Sequence, residues 1–137
     1  MLTPRSILSR ETRDGQATRA FLIRVPAGLV FVAFSFGKFV RHAEEARAFD
    51  RYGLPWPDLF TYAIGATELV CGVLLVLGIA PRLVALVLAG NMVGAISTAG
   101  RIDGGPIHLG FAPLLLGCML FLLWSGPGRR PRRLSMC

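Results

Sequence analysis

Two polar side chains lie in the middle of long apolar runs of the sequence. Glu68 interrupts the run 59–78, and Asn91 interrupts the run 83–99. Because only a short turn around Ala80 joins the two runs, they must lie antiparallel if they are helices. Glu68 stands twelve residues before Ala80 and Asn91 eleven after it, so a rise of about 1.5 Å per residue brings both to one depth. We expect the carboxyl and the amide to hydrogen-bond, and a buried carboxyl can also hold or pass a proton.

A polar face on the run 20–40 can reach the same pair. Arg24, Ser35 and Lys38 share this face because their spacing follows steps of three and four residues. Polar groups in hydrocarbon cost several kcal/mol each unless they find partners. We therefore expect an internal polar network that fixes helix register, formed by Arg24, Ser35, Lys38, Glu68 and Asn91. Two arrangements stay open: a neutral Glu68 bonded to Asn91, or an ionised Glu68 paired with Lys38.

The elements that must position these residues are membrane-spanning helices. About 18 to 20 apolar residues suffice to cross the roughly 30 Å hydrocarbon layer. Four runs are about this long, at about 20–40, 59–78, 83–99 and 107–124. The hydrophobic fraction of 53% and the mean hydropathy of +0.57 agree. We predict an all-α fold, an integral membrane four-helix bundle with short hairpin connections over residues 20–126.

The segments outside the runs are polar. Residues 1–19 lack periodicity, and we interpret them as a mobile N-terminal tail; residues 127–137 form a basic C-terminal tail. Residues 41–58 make the longest loop. Its alternating charges are typical of a short interfacial helix, which should end near Gly53 because Pro55 and Pro57 follow.

Basic residues predict the orientation. Ten of the fifteen lysines and arginines lie in the two tails, at Arg24 or at the turn residue Arg82, and five lie on the opposite side of the membrane. The positive-inside rule therefore predicts a multi-pass membrane protein with both termini in the cytoplasm. The net charge of +7 suits anionic lipid. We expect no nucleic-acid partner, because the basic residues carry no recognisable nucleic-acid-binding signature.

The three cysteines form neither a CxxC pair nor a Cys/His cluster, so we predict no metal site. His108 likewise lacks a partner at ligand spacing. Cys71 and Cys118 fall at similar depths in the second and fourth predicted helices, which leaves a thiol pair as a minor alternative. A thiol in apolar surroundings is usually inert.

Several short motifs occur in an order typical of one family. They are Arg24 to Phe31 leading to Gly37-Lys38-Phe39, Tyr52-Gly53-Leu54-Pro55, Gly65 to Leu69 with Gly72, Leu77-Gly78, Arg82 to Leu86, and Gly126 to Arg129. Together they resemble the DoxX family of small bacterial four-helix membrane proteins. Pro26 in the first helix and the C-terminal arginines depart from the family pattern. The resemblance implies a multi-pass bundle in the bacterial cytoplasmic (inner) membrane and, in some members, a subunit of a redox assembly. Some relatives are similar to the quinone-reducing part of a thiosulfate:quinone oxidoreductase, and others to a scaffold for thiol and superoxide defence enzymes.

Three functions remain open from the sequence. The first is an accessory or scaffold subunit of a membrane-associated redox complex, in which the polar network holds the helices together. The second is a quinone-reducing subunit with Glu68 and Lys38 as catalytic candidates, since quinone reduction needs proton donors and a dry cleft. The third is a small-solute or proton transporter. We expect no covalently bound cofactor, a quinone as the non-covalent candidate, and a protein partner or homo-oligomer within the lipid bilayer.

Overall fold

The computed structural model describes the backbone of residues 4–125 and the side chains of residues 15–125. Within this range the chain is helical and contains no strand. The α-helices are α1 (Pro4–Val40), α2 (His42–Arg51), α3 (Pro57–Leu77), α4 (Pro81–Ser97), α5 (Ala99–Ile102) and α6 (Ala112–Ser125), and a π-helical segment, Ile107–Phe111, leads into α6. The basic tail predicted at 127–137 lies outside the described residues.

Four segments are long and apolar enough to cross a membrane: Gly15–Val40, Pro57–Leu77, Pro81–Ile102 and Ile107–Ser125. They pack as a bundle in which α1 runs along α3 and α4 runs along α6, while the α3/α4 and α1/α6 seams have fewer contacts. Large apolar side chains such as Leu29, Val70 and Leu120 are exposed on the outer faces, where lipid would cover them. The predicted all-α membrane four-helix bundle is confirmed.

The helix boundaries differ from the predicted ones in two places. α1 begins at Pro4 and not at residue 20, so 4–19 is helical and not the irregular tail that we expected. The tail lacks apolar periodicity, yet proline suits a first helical turn and most of its other residues tolerate a helix. The third span continues beyond the break at Thr98 into α5. The connection between the third and fourth spans is correspondingly shorter than the run boundaries predict. The interfacial helix predicted in 41–58 is present as α2.

A close backbone contact joins α1 to α3. A Cβ atom on Gly28 would lie 2.8 Å from the carbonyl oxygen of Gly72, and one on Gly72 would lie 2.9 Å from the carbonyl oxygen of Gly28. Only residues without a side chain allow two helices to approach so closely. Leu75 on α3 and Leu88 on α4 lie nearer to the α3/α4 turn than Glu68 and Asn91 do, and both are fully buried in the hydrophobic core. The half of the bundle near the α3/α4 turn is therefore densely packed.

Candidate functional site

Glu68, Lys38 and Asn91 form one polar cluster between three helices. Glu68 on α3 is only 3% exposed. The side-chain amide of Asn91 on α4 donates a hydrogen bond to Glu68 Oε1 at 2.7 Å. The ammonium nitrogen of Lys38 on α1 lies 3.0 Å from Glu68 Oε2, in an ion pair that lacks the alignment of a regular hydrogen bond. The carboxylate thus has both of the partners that the sequence offered as alternatives.

Local sequence explains why the three side chains meet. α3 and α4 form a hairpin, so Glu68 and Asn91 face each other at one depth, as their distances from Ala80 predict. Gly65 brings α1 near, because a Cβ placed there would lie 3.5 Å from the Lys38 Cβ. The lysine stem then reaches one turn along α3 to the carboxylate. The Lys38 side chain is 16% exposed, so the cluster is almost dry.

The cluster lies at one end of a cavity of about 590 Å³. The walls come from α1, α3, α4, α6 and the π-helical segment, and α2 covers the cavity on the side away from the α3/α4 turn. Most lining side chains are apolar, and five of them are phenylalanines: Phe31, Phe34, Phe49, Phe60 and Phe111. The sequence did not reveal this cavity, since its lining residues come from seven helical segments and the connections between them.

A second polar group lies at the far rim of the cavity, outside the predicted spans. The Tyr52 hydroxyl at the end of α2 donates a hydrogen bond to Asp103 Oδ2 after α5, and Arg51 Nη2 lies 3.3 Å from the same oxygen. We call Arg51, Tyr52 and Asp103 the rim latch. Burial, together with the Asp103 carboxylate, raises the pKa of Tyr52 to about 12. The hydrogen bond from Tyr52, assisted by Arg51, lowers the pKa of Asp103. No sequence signal identified the latch, because Tyr52 and Asp103 are far apart in the chain and follow no shared periodicity.

Two residues of the expected network lie elsewhere. Ser35 is fully buried, but its hydroxyl donates to the carbonyl oxygen of Val32 in its own helix at 2.7 Å. Arg24 is buried beside Gly78, where a Cβ would come within 2.6 Å of the guanidinium. Gly78 ends α3, and a cation suits the negative end of a helix dipole. Arg24 is about 21 Å from Lys38 along α1 by helix rise, so the structure separates the predicted network into two sites.

The thiols and potential metal ligands form no further cluster within the described residues. Cys71 on α3 is buried and Cys118 on α6 is half-buried, and both are free thiols. In residues 15–125 no three histidine, cysteine or acidic side chains come together as a metal-ligand set. Cys137 lies outside the described part of the chain.

The four spans and the internal polar cluster define a multi-pass helical membrane protein. A family model of DoxX matches residues 20–101, and the chain belongs to the DoxX family. This confirms the family resemblance of the sequence motifs.

Two curated relatives are similar to the chain. The "Uncharacterized membrane protein Rv3486" of Mycobacterium tuberculosis is 38% identical over 130 residues, which cover 82% of this chain and 79% of the relative. The "Putative oxidoreductase CatD" of Bacillus subtilis is 36% identical over 77 residues, which cover 56% of each chain. No solved structure matches the chain significantly.

Proposed function

We propose that this protein is the membrane subunit of a bacterial redox complex and binds a quinone in the cavity between Glu68 and the rim latch. The observation that carries the proposal is the position of the buried Lys38–Glu68–Asn91 cluster at one end of an aromatic cavity. We place the protein in the cytoplasmic membrane with its termini in the cytoplasm. The oxidoreductase name of the Bacillus subtilis relative supports a redox role.

The cavity suits a quinone in size and chemistry. Sites for small molecules commonly have volumes of about 300–1,000 Å³ and apolar walls with a few polar groups that fix orientation. A quinone ring is flat and apolar on its faces, so phenylalanine walls can stack against it. Its carbonyl oxygens accept hydrogen bonds, and the Lys38 ammonium is a donor that lines the cavity.

The proposed chemistry consumes two electrons and two protons for each quinone that is reduced to a quinol. Lys38 orients one carbonyl oxygen and stabilises the negative charge that develops there. The Lys38 ammonium donates the first proton to that oxygen and is reprotonated from the aqueous rim, while the Glu68 carboxylate, held by the hydrogen bond from Asn91, keeps Lys38 in position. A reduced redox protein bound to this subunit supplies the electrons. The second proton reaches the other carbonyl oxygen from the aqueous rim.

The test is quinone binding and turnover in lipid nanodiscs. We expect Glu68→Gln to abolish quinone reduction by the assembled complex, and Lys38→Met to weaken binding of a decyl-tailed dimethoxy-methyl-benzoquinone about tenfold, the effect of one lost charge-assisted hydrogen bond. Thr67→Val is the matched control, since the Thr67 hydroxyl bonds only within α3, to the Ala63 carbonyl at 2.7 Å. Unchanged turnover and affinity in the Glu68 and Lys38 variants would refute the proposal.

A second candidate is a scaffold or accessory subunit without quinone binding. It is favoured by the way in which one carboxylate ties α1, α3 and α4 together. In that case Glu68→Gln would reduce retention of the partner protein in mild detergent, while the wild-type protein would show no saturable quinone binding. Transport gains less support, because Leu75 and Leu88 fill the bundle on the other side of the cluster.

A further inference from the structure

We propose that the seam between α3 and α4 is a lateral portal through which the alkyl tail of the bound quinone passes from the cavity into the bilayer. This inference rests on the proposed function and adds the route by which the ligand enters. The rim of the portal consists of Gly90 and Gly94 on α4 and Phe60 and Ile64 on α3.

The other three seams of the described bundle are closed at the level of the cavity. Gly65 holds Lys38 and Phe39 of α1 against α3. The rings of Phe34 and Phe111, whose centroids are 5.8 Å apart, close the α1/α6 seam. Met92 and Leu115 are buried where α4 packs along α6. An opening to lipid therefore has one available position, between α3 and α4.

At that position α4 lacks the side chains that would close the seam. Gly90 and Gly94 both line the cavity and are both exposed at the surface of the bundle. A Cβ on either glycine would meet nothing within 4 Å. The two glycines are about 6 Å apart along the helix, and a hydrocarbon chain is about 4 Å wide at van der Waals contact. The absence of side chains at both positions thus leaves room beside α4 for one alkyl chain.

The aqueous side of the cavity is covered in the same structure. α2 lies over it, and the rim latch joins Tyr52 at the end of α2 to Asp103 beyond α5. A ligand whose ring occupies the cavity can extend a long tail most directly through the α3/α4 seam. The apolar surroundings of that seam suit a tail of isoprenoid or alkyl chemistry.

The experiment compares two probes in nanodiscs of phosphatidylglycerol and phosphatidylethanolamine. One probe is 2,3-dimethoxy-5-methyl-1,4-benzoquinone, and the other is the same ring with a decyl tail. Gly90→Leu and Gly94→Leu each place a side chain in the portal. Each should weaken the binding affinity for the tailed probe about tenfold, which corresponds to losing the burial of roughly two methylene groups. The affinity for the tail-less probe should change less than about twofold. Gly117→Leu is the matched control, since Gly117 is exposed on α6, lies outside the cavity and has nothing within 4 Å of its Cβ position.

Three results would overturn the portal. One is an unchanged affinity for the tailed probe in both leucine variants; another is an equal loss for both probes, which would indicate a blocked cavity. The third is conversion of a dimer to a monomer by Gly94→Leu, measured by native mass spectrometry, which would make the seam an interface between copies. In each case, tail-less binding to the wild type that depends on Lys38 would preserve the proposed function. Failure of the wild type to bind either probe would refute the proposed function and the portal together.

Discussion

Glu68 shows how a buried charge is retained in this bundle. A carboxylate in a nearly dry site is costly unless charge and hydrogen bonding compensate it. Lys38 supplies the opposite charge and Asn91 a hydrogen bond, each from a different helix. Because the three groups depend on one another, removal of one should lower the free energy of unfolding by more than the contribution of the single contact.

A double-mutant cycle at Lys38 and Glu68 tests this dependence. We expect Lys38→Met and Glu68→Gln each to lower the free energy of unfolding by about 3 kcal/mol, because each leaves an uncompensated buried charge. The double variant leaves no such charge, so it should lose less than the sum of the two single losses. Chemical unfolding in mild detergent, followed by circular dichroism, measures the three values. Strictly additive losses would contradict the interdependence.

Sequence reasoning located the central pair because helix rise converts a count of residues into depth. It found Glu68 opposite Asn91 and Lys38 within reach. The wider network was predicted from the shared face of α1, and this part was wrong because residues on one face can still lie far apart along the helix axis. Arg24 and Lys38 are separated in this way. Ser35 satisfied its hydroxyl within its own helix, an option that sequence periodicity does not distinguish from a contact between helices.

At the scale of elements, the rim latch holds α2 over the cavity. Its pH range follows from two pKa shifts of opposite sign. The raised pKa of Tyr52 means that its contribution to stability is fully present below the ordinary value of 10.0 and is lost as pH rises through about 12. The lowered pKa of Asp103 means that its contribution is present above 3.8 and is lost as the pH falls through the lower folded-state value. The latch should therefore persist between about pH 4 and pH 10.

Tyrosine titration measures the upper limit of this range. The chain has two tyrosines, so Tyr62→Phe leaves Tyr52 as the sole tyrosine that titrates. Its ultraviolet titration should have a midpoint near pH 12. Asp103→Asn should lower this midpoint but leave it above 10, because burial, the largest single cause of the raised pKa, remains. A midpoint near 10 in the Tyr62→Phe protein would show that the latch is absent in solution.

For the whole molecule, the distribution of basic residues predicts the orientation that our functional proposal uses. Because the chain has four spans, both chain termini lie on one side of the membrane and α2 lies on the other. Since most arginines flank the ends, the positive-inside rule assigns the termini to the cytoplasm and α2 to the outer face. In this orientation, the rim of the cavity faces the outer side of the membrane.

Cysteine labelling tests this orientation. In a background with Cys71, Cys118 and Cys137 replaced by alanine, Trp56→Cys should react with a membrane-impermeant maleimide added to spheroplasts, because this exposed residue precedes α3 on the outer face. Ile79→Cys is the control for the opposite side of the membrane, since Ile79 is exposed in the turn between α3 and α4. It should react only after the membrane is permeabilised. The reverse labelling pattern would invert the assignment.

The contact between Gly28 and Gly72 also bears on how the molecule can move. Two backbones in contact cannot slide or tilt without a clash, so α1 and α3 behave as one rigid body. α4 and α6, which pack along each other, form a second body. We therefore expect that, if the proposed α3/α4 portal opens, it does so by a small rotation of one helix pair against the other about the short turn around Gly78.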